Sequence, residues 1–198
     1  MTTTTTTAST APHWDQWFII LFGEDGVGRK VLAVQFTMNC FVATYDPFEE
    51  GHRKYWAVDG TMCLADVEAT TEQLIREGQG FFLIYSVTSR TSFSQLDDVW
   101  QSIQRAKGKT TPIILLGNKC DLGASDRTVT TEEGTALARQ FGCPFLEVSA
   151  KTGVNYDVER AFSDLVRLLR QSLRRAETAT LQESSGRKEM RKGKCIIL

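Results

Sequence analysis

Between residues 23 and 30 the chain reads GEDGVGRK, directly after the apolar run WFIILF (17–22). A strand that runs into a glycine-spaced loop and out into a helix can cradle phosphate, because loop and first-turn N–H groups point at the anion. The residues placed to do so are Gly23, Asp25, Gly26, Val27, Gly28, Arg29 and Lys30. In the usual pattern the last two positions are Lys, which reaches the β- and γ-phosphates, and Ser or Thr, whose hydroxyl holds Mg²⁺. Here Arg29 keeps the charge in a larger, planar fork. Lys30 has no oxygen to offer a metal and would repel it. It could face phosphate directly instead, since two unit charges ~4 Å apart interact by roughly 4 kcal/mol at an effective dielectric of 20. Glu24 and Asp25 oppose that if they point inward. Weakened binding without a metal is one expectation; a Lys30 that simply faces solvent is the other.

Two further stretches carry polar residues after apolar runs. In GNKCDL (117–122), the Asp121 carboxylate can accept from both donors on the guanine edge, the ring N1–H and the exocyclic amine. Adenine has no such pair there. Lys119 can lay its stem along a base, and Asn118 can tie loops together through its amide. In EVSAKTG (147–153), Ser149, Ala150 and Lys151 follow another strand. The Ala150 N–H can donate to the guanine carbonyl oxygen, with Lys151 packed beside it. Each stretch alone occurs by chance. The three in order, each after a strand, point to a guanine-nucleotide site.

The elements that would position these residues follow from periodicity. Buried strands are expected at 17–22, 81–87, 112–117 and 143–148. RKYWAV (53–58) and TMCLADV (61–67) flank Asp59-Gly60, a hairpin signal. Helices are expected at 30–38, 92–107, 132–142 (ended by Gly142) and 156–175. Strands alternating with helices predict an α/β fold: a six-stranded, mostly parallel sheet with helices on both faces, three layers in all. Ligands of such sheets bind at the carboxyl ends of the strands. Residues 1–13 form a Thr-rich tail expected to be disordered, 14–175 the nucleotide-binding domain, and 176–198 a flexible polybasic tail.

Composition narrows the function classes. Hydrophobic content is 41%, charged content 24% and net charge −1. No global pull toward nucleic acid follows, and none is expected as a partner. Five scattered cysteines without a C-x-x-C pair argue for reduced thiols and against a zinc site. No apolar run is long enough to span a membrane. His13 and His52 are expected at the solvated surface, and Trp14 and Trp17 over the sheet edge.

On YDPFEE (45–50), VDGTMCLADV (58–67), GFFLIYSV, GNKCDL and EVSAK, the chain resembles the Ras family of small GTPases over roughly residues 16–175. The resemblance implies a phosphate-loop fold, GTP or GDP as ligand, and phosphoryl-transfer chemistry for which this family is a standard example. It also locates the departures. Phe48 stands where the family has the Thr that senses the γ-phosphate through Mg²⁺. Asp25 stands where the family requires Gly, and a side chain there obstructs hydrolysis. Aligned without a gap, Ala69 replaces the metal-linked Asp and Glu72 a hinge Gly. Gln73 matches the Gln that orients the attacking water, and is a weak candidate because the next strand arrives about nine residues early. Mg²⁺ is doubtful and no metal ligand is assigned. Little or no hydrolysis is expected.

The last four residues, CIIL, fit C-a-a-X, with geranylgeranyl favoured on Cys195. Arg187, Lys188, Arg191, Lys192 and Lys194 supply a basic patch, the second attraction that one lipid chain needs. A monomer on the cytoplasmic face of the plasma membrane or an internal membrane is expected. Three alternatives stand beside this: a conventional GDP/GTP switch, a membrane-tethered interaction module that binds no nucleotide, and a gene-prediction error across 64–81.

Overall fold

The computed structural model describes residues 14–41, 52–69, 74–122, 125–152 and 155–192, with backbone alone at 155–157 and 181–192. The expectations for residues 1–13, Phe48, Glu72, Gln73 and Cys195 lie outside these.

Strand β1 (Asp15–Phe22) is apolar on both faces through its second half, and this is what lets it sit in the middle of a sheet. The others are β2 (His52–Val58), β3 (Thr61–Ala69), β4 (Gly80–Ser86), β5 (Ile113–Asn118) and β6 (Phe145–Val148), in spatial order β2-β3-β1-β4-β5-β6. All neighbours are parallel except β2 and β3. Those two form the expected hairpin, turned at Asp59 (φ 51°) and Gly60 (φ 78°), the backbone an Asp-Gly pair adopts readily.

Two apolar clusters occupy the two sheet faces. On one, helices α1 (Arg29–Met38) and α5 (Asn155–Lys192) pack through Phe36, Phe162 and Leu165. The Phe36 and Phe162 rings stack with centroids 3.7 Å apart, and Trp56 meets Phe36 edge-on at 5.0 Å. On the other lie α2 (Arg90–Ser94), α3 (Leu96–Lys107) and α4 (Thr131–Phe141), held by Leu96, Ile103, Ala138 and Phe141. A fully buried side chain of this size contributes roughly 1.5–3 kcal/mol, so this three-layer packing is what fixes the loop ends.

Several expectations are corrected. The single helix at 92–107 is divided at Gln95, whose backbone stays right-handed. Trp17 is 4% exposed, inside the core on central strand β1, rather than over an edge. Trp14 does lie outside and meets Tyr55 of edge strand β2 edge-on at 5.9 Å. His52 is buried, because its strand alternates and its side faces inward with Trp56 and Val58. The closing helix does not stop at 175 but runs to Lys192. No proline interrupts that stretch, and its Ala, Glu, Gln, Arg, Lys and Met content favours helix despite Gly186.

The described part of the connection from β3 to β4, residues 74–79, is pinned. The Glu77 and Gly78 N–H groups both donate to the Leu74 carbonyl at 3.1 Å, and Ile75 inserts into the second cluster. Gln79 joins Phe18 twice: its N–H donates to the Phe18 carbonyl, and its Oε1 accepts from the Phe18 N–H, each at 2.8 Å.

Candidate functional site

The carboxyl ends of β1, β5 and β6 converge on one cleft of about 400 Å³. Its lining includes Asp25, Gly28, Arg29 and Lys30 at one end and Lys119, Asp121, Ala150 and Lys151 at the other. Residues as far apart in the chain as Asp25 and Lys151 thus line one cleft.

The loop and the polar motifs are bonded to each other. The Asn118 side chain is 1% exposed and spans both: its Nδ2 donates to the Val27 carbonyl at 2.7 Å, and its Oδ1 accepts from the Ala150 N–H at 3.4 Å. The Lys119 ammonium donates to the Gly26 carbonyl at 2.6 Å. Its backbone is left-handed (φ 66°), a conformation a lysine holds only where the surroundings over-determine it. Ser149 Oγ donates to Asp121 Oδ1 at 2.5 Å and accepts from the N–H groups of Lys151 and Thr152 at 3.2 Å each. This fixes the Asp121 carboxylate at the cleft wall with one oxygen engaged. Gly28 (φ 96°) is required twice over: an L side chain rarely adopts that backbone, and a Cβ would lie 2.5 Å from Asn118 Nδ2.

At the phosphate end α1 begins at Arg29 with Gly28 before it and no side-chain cap. Helices α2 and α4 differ, since Ser89 caps the one and a Thr130–Glu133 capping box the other. Gly28 has no side chain with which to cap the first turn of α1, a helix start of the kind that suits an anion. Val27 is buried and anchors the loop from below. Arg29 Nη2 donates to Asp25 Oδ1 at 2.5 Å. Lys30 is exposed on the cleft lining. Glu24 does not point inward: its Oε2 accepts from Thr91 Oγ1 at 3.3 Å, on α2.

The residues do not fit the Mg²⁺ that the fold family uses. The two described positions where it would be held carry Lys30 and Ala69, neither of which has a side-chain oxygen. No group of three or more His, Cys, Asp or Glu that could hold a metal occurs among the described residues.

One lining residue escapes sequence reasoning. Phe41, just past the end of α1, is 43% exposed and borders the same cleft. An aromatic ring there can pack against a base. Its signal was an unpartnered Phe outside any periodic run.

Comparison with known sequences agrees with this architecture. The sequence model of the Ras family matches residues 18–171. A Ras-like protein of Laccaria bicolor is 44% identical over 166 residues, covering 78% of this chain and 78% of that protein. The Ras-like protein rasB of Dictyostelium discoideum is 38% identical over 196 residues, covering 93% and 98%.

Proposed function

The chain belongs to the Ras family of small GTPases, and from that premise we propose a membrane-anchored GTP-binding signalling protein with little or no intrinsic hydrolysis. The observation that carries the reading is the contrast inside one cleft. Asp121, Ser149, Asn118 and Ala150, the residues assigned to the guanine base, are held at one end of it by hydrogen bonds within and between their loops. Lys30 and Ala69 offer no oxygen where the family's metal chemistry is done.

Phosphoryl transfer depends on positioning and on charge stabilisation around the transferred group. Without metal ligands most of that stabilisation is lost, and Asp25 stands beside the loop as an opposing charge. Binding survives this better than catalysis does. The base edge, the α1 N-terminus and the cations of Arg29 and Lys30 still act on a ground-state nucleotide. Lys30 is assigned part of the counter-charge that Mg²⁺ supplies elsewhere. Anchoring to the cytoplasmic face of a membrane would come from prenylated Cys195 with Arg187, Lys188, Arg191, Lys192 and Lys194.

The test is nucleotide content. The full chain is purified without added nucleotide, with and without chelator, then denatured and chromatographed beside Lys30→Ala. The reading expects guanine nucleotide that survives chelator and falls in Lys30→Ala. Nucleotide lost with chelator would mean a conventional metal-dependent switch. None from a folded sample would mean an interaction module.

A further inference from the structure

Asp25 and Arg29 are four residues apart across the join of the loop and α1. The Arg29 side chain is 13% exposed and the Asp25 side chain 99% exposed. The guanidinium is therefore held in the cleft wall, while the carboxylate stands at its open mouth. Both line the cleft that also holds Lys30 and Asp121. A guanidinium N–H suited to a phosphate oxygen donates here to a carboxylate of the chain itself.

A phosphate reaching the start of α1 must either displace that carboxylate or sit beside it. Each additional phosphate brings more negative charge to the same place. Lys30 and Ala69 give no oxygen through which a metal could offset it. The base end takes no part in this competition, because Asp121 and Ser149 are bonded to each other and not to the loop carboxylate.

Resting on the guanine-nucleotide reading above, we infer that Asp25 is a built-in anion on Arg29 and the specificity-determining residue of the phosphate end. It flattens the site's affinity along the series GMP, GDP and GTP, so that recognition is by the base more than by phosphate count. Asp25→Asn keeps the size and an acceptor oxygen and removes only the charge.

The experiment is equilibrium titration of the full chain and of Asp25→Asn with guanosine, GMP, GDP and GTP in chelator, at low and high salt. In the wild type, affinity is expected to rise by no more than about threefold from GMP to GTP. In Asp25→Asn, GDP and GTP are expected to bind about fivefold tighter, with guanosine unchanged and the gain smaller at high salt. A wild-type affinity that climbs steeply with each phosphate, or a variant that shifts guanosine as much as GTP, overturns the inference and leaves the guanine reading standing. If neither protein binds guanosine or any nucleotide while both melt cooperatively, the guanine reading itself falls and takes the inference with it.

Discussion

At one end of the cleft, Asn118, Lys119, Asp121 and Ser149 are each bonded to a second loop, so their positions are fixed by partners from β1, β5 and β6. At the other end, Arg29 meets the almost fully exposed carboxylate of Asp25, and α1 starts without a side-chain cap. The first end is held by hydrogen bonds that link its loops, with Asn118 buried among them; the second is a cluster of charges in which Asp25 and Lys30 are exposed. The difference teaches where substitutions are tolerated. A buried bonded residue cannot change without orphaning its partners. A charge at the mouth can change identity while the fold stands, and function changes alone.

The sharpest way to break this contrast is Asn118→Ala. It would orphan the Val27 carbonyl and the Ala150 N–H, each a loss of about 1–3 kcal/mol. Thermal and urea unfolding should register about 2–6 kcal/mol together with the loss of nucleotide binding. A melt unchanged from wild type would mean that the two ends are not coupled through this side chain. Next is Asp121→Ala. Charge-assisted bonds of this kind contribute about 1.5–3 kcal/mol, so guanine-nucleotide affinity should fall by about ten- to a hundredfold and the preference over adenine should vanish. Competition binding with GDP against ADP reads this directly. The smallest effect is expected for Glu24→Gln. Its carboxylate meets Thr91 on an exposed surface and not the cleft. Stability and GDP affinity should both stay within about 0.5 kcal/mol of wild type. A larger effect on affinity would place Glu24 among the phosphate-end charges.

The base end was legible in the sequence because its chemistry sits in short contiguous motifs. Asp121, and Ser149 twenty-eight residues on, needed only the order of strands to be brought together. The sheet was legible for the same kind of reason: four apolar runs, one Asp-Gly hairpin and Gly142 at a helix end all speak locally. The phosphate end was harder. Arg29 and Lys30 could be named, but whether Glu24 and Asp25 face the cleft depends on which side each residue of a tight loop presents, and that is set by contacts with α2 and α1. The i,i+4 spacing of Asp25 and Arg29 was the available clue. His52 lies one residue before the strand expected at 53–58, so alternation did not reach it, and a tryptophan such as Trp17 in a parallel core strand looks the same as one at an edge until its neighbours are known. Phe41 belongs to no periodic pattern, so only the folded cleft reveals it.

The most direct test of the contrast is GDP affinity of the full chain by calorimetric titration, in Mg²⁺ and again in chelator. The same affinity within about threefold is expected in both, because the base end and the cations of Arg29 and Lys30 carry the binding and the described residues at the metal positions, Lys30 and Ala69, have no side-chain oxygen to ligate a cation. An affinity that drops by about a hundredfold or more in chelator would contradict it, and would mean that a metal is held at this cleft in spite of them.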